Sequence, residues 1–165
     1  MSREIDGPPQ VRLRPVESTD LDVLFEHQRD PGANHMAAFT SGDPENRARF
    51  DAFWERILGD DSVVARTVVA DGEIAGTVTK FVADLGPEVT YWIGREHWGQ
   101  GIATAALAAL VNEVPERPLH ARVAIDNVAS LKVLSKCGFV VTGSDSGFAP
   151  ARGRDVEEYV LRLEA

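Results

Sequence analysis

Cysteine occurs once, at Cys137. No intrachain disulfide can form, and no cysteine-rich metal site can be built. Long hydrophobic runs are missing as well. The longest, residues 102–111, falls well short of the roughly 20 apolar residues that span a bilayer as a helix. Positive charge is scarce, with 17 lysines and arginines against 26 aspartates and glutamates and a net charge of -9. A nucleic acid needs a basic footprint to neutralise its phosphates, so that class is excluded as the main partner. The stretch MSREIDGPPQ is charged and carries two prolines, unlike a secretory signal. These absences predict a soluble, cytoplasmic protein with no membrane partner.

What is present is a chain of 165 residues, 44% of them hydrophobic, enough for one globular domain over 1–165 with a full-sized core. No internal repeat or low-complexity linker interrupts it, and residues 1–10 read as a loose arm. VRLR (11–14) alternates like a strand and is stopped by Pro15. Leu21, Leu24 and Phe25 share a helical face behind the capping candidates Ser18, Thr19 and Asp20. Residues 30–43 read as a polar, glycine-containing loop, and Asp43-Pro44 as a helix start. Phe50, Phe53, Trp54, Ile57 and Leu58 then fall on one face of that helix.

From Ser62 the period shortens. SVVARTVVA and EIAGTVTKFVA are two strands about an Asp71-Gly72 turn, and PEVTYWIG is a third. A helix over 102–114, a strand LHARVAI, a short helix ending at Gly138 and two strands near 139–143 and 156–163 complete the order. Tight turns between consecutive strands imply an antiparallel half, and a strand-helix-strand unit implies one parallel step. The expectation is an α/β fold: a mixed, mostly antiparallel sheet of six to seven strands with four helices on its faces.

Two glycines, Gly99 and Gly101, stand immediately before the alanine-rich helix. They make a plain turn, or they let the free amides of a helix N-terminus approach an anion without a Cβ in the way. A dinucleotide fingerprint fails because Thr104 stands where its third glycine belongs, and no Lys-Ser or Lys-Thr pair follows for a triphosphate loop. EVTYWIGREHWGQGIATAAL, Asn127-x-x-Ser130 and KCGF (136–139), taken together, resemble the GNAT family of N-acetyltransferases. Within it the chain looks most like the RimJ/RimL-like branch that acetylates ribosomal-protein N-termini. Trp98, Gly99, Gln100, Gly101, Ile102 and Ala103 match the family's Gln/Arg-x-x-Gly-x-Gly/Ala motif except at the first place, where tryptophan stands.

The resemblance implies acetyl-CoA as co-substrate, with its pyrophosphate on the amides from Gly99 to Thr104. It implies that the pantetheine arm lies beside Ile93, Gly94 and Arg95, where a backbone amide near Ile93 serves as oxyanion donor. The partner would be a primary amine, either a small molecule or a protein N-terminus, acetylated by direct attack in a ternary complex. Asn127 caps its helix, contacts the cofactor arm, or does both. Many relatives carry a tyrosine acid in the pattern N-x-x-A-x-x-L-Y, and here Leu134 takes its place. Ser130 is therefore the candidate general acid, or else a surface serine. Glu88 is the candidate base that takes the ammonium proton, or else a solvated strand carboxylate. Glu88, Thr90 and Trp92 share one strand face, and Val89, Tyr91 and Ile93 the other.

Among the remaining residues, His97 is a possible ligand contact, while His27, His35 and His120 are scattered without metal spacing, so no metal is expected. Cys137 reads as buried filler rather than nucleophile. Lys132 and Lys136 are solvated or meet the adenosine phosphates. The acceptor is expected between the 30–43 and 144–154 loops. The opposing reading is a CoA-binding sensor or interaction module that has lost its chemistry, and the sequence leaves monomer and homodimer open.

Overall fold

The computed structural model describes residues 9–38 and 43–165. The first eight residues of the expected arm, and residues 39–42 of the expected 30–43 loop, lie outside them. The elements in chain order are β1 (Val11–Pro15), α1 (Leu21–Gln28), α2 (Pro31–Ala37), α3 (Arg47–Leu58), β2 (Val64–Ala70), β3 (Glu73–Ala83), β4 (Gly86–Ile93), α4 (Ile102–Glu113), β5 (Leu119–Ala124), α5 (Val128–Lys136), β6 (Val140–Ala149) and β7 (Arg154–Leu163). Short 3-10 turns at Ser18–Asp20 and Arg95–His97 precede α1 and follow β4.

The seven strands form one sheet in the order β1-β2-β3-β4-β5-β7-β6. Every neighbouring pair is antiparallel except β4 and β5, which α4 connects in parallel. The β2–β3 hairpin closes as its sequence demands. Ala70 pairs with Glu73, and Asp71 and Gly72 both take positive φ, 49° and 84°, which is the two-residue turn whose twist suits the strands.

Helices α4 and α5 cover one face. Ile102, Leu107 and Leu110 pack there against Val78, Leu119 and Leu161 as the main core. On the other face Leu24 and Trp54 pack on Ala65, which seats α1 and α3, while Ala38 meets Ala124, Ala149 and Val156 next to α2. Asp20 pins the β1–α1 corner. Its buried carboxylate receives both Arg14 guanidinium nitrogens at 2.7 and 2.8 Å, the Thr67 hydroxyl at 2.8 Å and the Glu17 amide at 2.9 Å. These donors, the Arg14 pair first, hold its pKa down to about 2.

Three expectations are corrected. Residues 31–37 are helical, so the helices number five among the described residues. Asp30 caps α2 by accepting from the Ala33 amide at 2.9 Å, with Pro31 at the first helical position. Asp43-Pro44 starts no helix; α3 begins at Arg47 behind Asn46, which accepts from the Arg49 amide at 3.0 Å. The last hairpin is longer than expected, because β7 supplies backbone partners through the polar stretch Gly143 to Gly147 and leaves only 150–153 as the turn. Pairing there overrides the low strand propensity of glycine, serine and aspartate. No described helix is long and apolar enough to cross a membrane.

Candidate active site

Strands β4 and β5 touch at one point. Their single register pair is Glu88 with His120, and beyond it the strands diverge. The Gly94 amide donates to Ala75 O on β3 at 2.8 Å. Amides alternate in direction along a strand, so the Ile93 amide turns the other way, into the opening. Ile93 itself is buried in the main core, and its carbonyl accepts the Trp98 indole N–H at 2.7 Å. Gly94 is pressed against the His27 ring, which lies 2.6 Å from where a Cβ would stand. Glycine is required there by close approach. The opening therefore presents the Ile93 amide on its β4 side, with the Ile93 carbonyl held by Trp98 and Gly94 packed on His27.

The turn after β4 carries the second group of candidates. Gly99 and Gly101 have φ of 75° and 76°, a conformation that only glycine adopts at little cost. Gly101 is the N-cap of α4 and offers no side-chain cap. The first bonded amide of the helix is Ala105, which donates to Gly101 O at 3.1 Å. The amides of Ile102, Ala103 and Thr104 are thus left without an intrahelical acceptor at the positive end of a helix. A Cβ added at Gly99 or Gly101 would meet nothing within 4 Å, so the glycines clear space rather than fit a packed wall. Gln100 is exposed, and its side chain reaches Glu96 O at 3.5 Å. Arg95 is engaged by the protein: its guanidinium pairs with Asp30 at 2.6 Å and lies 5.1 Å from the Trp98 ring centre.

At the C-terminal end of β5, Asn127 caps α5, its side-chain oxygen accepting from the Ser130 amide at 3.2 Å. Its side-chain nitrogen donates to Met36 O at 3.4 Å. Capping is the role displayed, and the carboxamide oxygen keeps a second lone pair. The Ser130 hydroxyl lies 2.7 Å from the Tyr91 hydroxyl. Sequence reading passes over Tyr91, although it is placed on the α5 side of β4 by strand alternation. Burial pushes the Tyr91 phenol above its ordinary range, so it stays protonated near neutrality. A strand tyrosine thus stands beside Ser130, in a site where the helix tyrosine of many relatives is absent.

Glu88 lies at the closed end of the opening. Burial, the largest cause, raises its pKa; Arg122, whose Nε lies 3.6 Å from Oε1, pulls the other way. Arg122 also meets Glu158 at 3.1 Å and Asp145 at 3.3 Å. Three carboxylates from β4, β6 and β7 thereby converge on one guanidinium. Sequence reading singles out neither Arg122 nor this convergence. His27 and His97, read as unrelated, also meet: His27 Nε2 lies 3.1 Å and His97 Nε2 3.8 Å from Glu96 Oε1. Burial lowers the His27 pKa and favours the neutral ring. Cys137 is half-buried, donates to Thr104 O at 3.6 Å and has its pKa raised by burial, the reverse of an activated thiol. Lys132 and Lys136 are exposed and carry no ion pair among the described residues.

On the sheet face opposite α4 lies a cavity of about 880 Å³ between α1, α3, β3 and β4. Phe50, Phe53, Phe81, Trp92, Thr79 and Thr90 are among its walls. Between the 30–43 and 144–154 segments, where the acceptor is expected, described residues touch: Arg152 donates to His35 O at 2.7 Å and pairs with Asp126, and the Ala151 amide donates to Ala38 O at 3.2 Å.

A family model described as an acetyltransferase (GNAT) domain matches residues 10–140. The chain is 26% identical to a Bacillus licheniformis protein named uncharacterized N-acetyltransferase p20, over 93% of this chain and 92% of that one. Its fold is similar to that of the Vibrio cholerae spermidine N-acetyltransferase in complex with CoA and spermine, with a TM-score of 0.81, 18% identity and coverage of 94% of this chain and 95% of the other. It is similar also to Mycobacterium smegmatis RimJ in complex with CoA-disulfide, with a TM-score of 0.78, 21% identity and coverage of 96% and 86%.

Proposed function

We propose, from the premise that this chain belongs to the GNAT acetyltransferase family, that it carries acetyl from acetyl-CoA to a primary amine through the opening between β4 and β5. The chain is an acetyl-CoA-dependent N-acetyltransferase; the proposal concerns where and how it acts. The observation that carries it is the single Glu88–His120 pair, with the Ile93 amide facing the opening beyond it and three amides without an intrahelical acceptor at the start of α4.

The amides of Ile102, Ala103 and Thr104 hold the pyrophosphate, with Trp98, Gly99, Gln100 and Gly101 shaping the approach. The pantetheine arm runs beside Ile93, Gly94 and Arg95 and passes the second lone pair of Asn127. The Ile93 amide faces the thioester oxygen and stabilises the charge that develops there. The neutral amine attacks the thioester carbon, the carbon–sulfur bond breaks, the sulfur takes a proton from Ser130, and the proton that the nitrogen sheds as the amide forms restores the Ser130 hydroxyl. The Tyr91 hydroxyl lies 2.7 Å from Ser130 Oγ, and a hydrogen bond donated by the phenol leaves the serine hydrogen free to point at the sulfur. Glu88, further back along β4, takes the proton of the incoming ammonium through water before the amine reaches the thioester. Its raised pKa brings it nearer to neutrality, where a base works best. No step needs a covalent acyl-enzyme or a metal. The RimJ/RimL-like resemblance favours a protein N-terminus among primary amines, and a cytoplasmic location fits that acceptor.

The test is calorimetry with acetyl-CoA, combined with release of free CoA in the presence of an amine panel. Stoichiometric binding that Gly101→Val abolishes in a natively folded protein supports the site. Unchanged binding by that variant overturns it.

A further inference from the structure

The cavity of about 880 Å³ on the α1–α3 side of β4 has an uneven chemistry. Its walls are dominated by rings: Phe50 and Phe53 from α3, Phe81 from β3 and Trp92 from β4. Among the described lining residues the only carboxylate is Asp43, against the cations Arg49 and Arg56. His27, also in the wall, is held towards its neutral form by burial. At one margin the character changes. Phe81 is the cross-strand partner of Glu88, and Glu88, Glu158 and Asp145 share the single guanidinium of Arg122. Carboxylates outnumber cations there, at the closed end of the β4–β5 opening.

We infer that the acceptor is a primary amine borne on an aromatic or bulky apolar body, with the body in the ring-lined cavity and the amine directed past β4 into the β4–β5 opening. This rests on the reaction proposed above and names its acceptor class. A polyamine is disfavoured, because its successive ammonium groups need carboxylates along their whole length, whereas this cavity presents rings and two arginines beyond the Glu88 margin. A small polar amine would leave the apolar walls wet and gain nothing from them. The same chemistry is carried by a free arylalkylamine and by a peptide that begins with an aromatic residue.

The experiment measures CoA release with phenethylamine, a tetrapeptide beginning with phenylalanine, one beginning with alanine, and spermidine. Acetyl-CoA binding is followed in parallel by calorimetry. The aromatic members should exceed spermidine and the alanyl peptide in kcat/KM by on the order of tenfold or more, the size of effect that a well-filled apolar pocket provides. Phe81→Ala should erase that advantage by raising the amine KM, leaving the acetyl-CoA affinity unchanged. Phe53→Ala changes a ring that is 46% exposed, so it retains the fold and should reduce the same preference. A larger rate with phenethylamine than with the phenylalanyl peptide identifies a small-molecule acceptor, and the reverse identifies a protein N-terminus; either order supports the class. Equal or better turnover of spermidine or the alanyl peptide overturns the inference and leaves the transferase reading intact. So does an aromatic preference that survives both substitutions, or acetyl-CoA binding without transfer to either aromatic amine. Failure to bind acetyl-CoA at all overturns the reading on which it rests.

Discussion

The two sides of β4 are built by different means. The side proposed for the cofactor is made of backbone: the Ile93 amide, two glycines at positive φ and three unbonded amides at the start of α4. The side proposed for the acceptor is made of side chains from separate elements, with rings of α3 facing rings of β3 and β4. A backbone site is set by local conformation, so one residue of the wrong type ruins it. A side-chain site is set by packing, so its walls can change while the fold persists. Substitutions should therefore act steeply and without selectivity on the first side, and gradually and by substrate on the second.

The steepest loss is expected at Gly101→Val, where a branched side chain enters the anion's space and the φ of 76° suits only glycine. Calorimetry should show acetyl-CoA affinity reduced by about 100-fold or more, the scale of losing several charge-assisted amide bonds, while circular dichroism stays native. An effect of only a few-fold would mean that the amides of α4 do not carry the phosphate.

Next in size is the proton donor. Ser130→Ala should lower kcat more than it raises the acetyl-CoA KM. General acid help is worth about 10²–10⁴-fold, and a readily leaving thiolate places this case at the low end or below. Tyr91→Phe should reproduce part of that loss and shift the alkaline limb of kcat, because Tyr91 acts through Ser130. Identical pH profiles in wild type and Tyr91→Phe would leave Tyr91 with packing alone.

A smaller effect is expected for Glu88→Gln, which should remove the acidic limb of the kcat/KM profile for the amine. Burial raises the Glu88 pKa, so that limb should lie above the ordinary carboxylate range, with activity rising as pH climbs through it. A limb that persists in Glu88→Gln belongs to the amine itself, and water then takes the proton.

Away from both sides of β4, Asp20 gives a pH-dependent stability. Its folded pKa of about 2 lies below the ordinary aspartate value of 3.8, so the folded state keeps the carboxylate ionised where the unfolded chain protonates it. The stabilisation is complete above the unfolded pKa and is lost as pH falls towards 2, amounting to about 2 kcal/mol at neutrality by linkage. Denaturant melts should show Asp20→Asn less stable than wild type at pH 7, with the gap closing in acid. The least effect is expected for Cys137→Ala, whose rate should stay near wild type with or without chelator. A trapped acetyl group on Cys137, seen by mass spectrometry, would contradict that.

The same contrast accounts for what the sequence could reveal. Gly99 and Gly101 are legible because the conformation they permit is local, and the Asp71-Gly72 hairpin is legible for the same reason. The antiparallel β2–β3–β4 run and the parallel step across α4 follow from short turns and one crossover helix, whereas the insertion of β7 between β5 and β6 does not. Helix α2 is hidden because Pro31 and Gly32 look like breakers, while its stability comes from the Asp30 cap and from Ala38 packing on β5, β6 and β7. The length of β6 is hidden because its partner β7, not its own residues, provides the pairing. Distance in the chain conceals the Tyr91–Ser130 pair, 39 residues apart, and the His27–Glu96 pair, 69 apart. The ring-lined cavity is least legible of all, since no single segment contains it.

The central claim is that acetyl-CoA lies in the β4–β5 opening with its phosphates on α4, and the most direct measurement is amide hydrogen exchange with and without acetyl-CoA. Binding should slow exchange at Ile93 and at Ile102, Ala103 and Thr104, whose amides have no acceptor of their own at a helix start, while α3 and the β6–β7 hairpin stay unchanged. Protection confined to α3 and the walls of the ring-lined cavity, with Ile93 and residues 102–104 exchanging as before, would contradict the account.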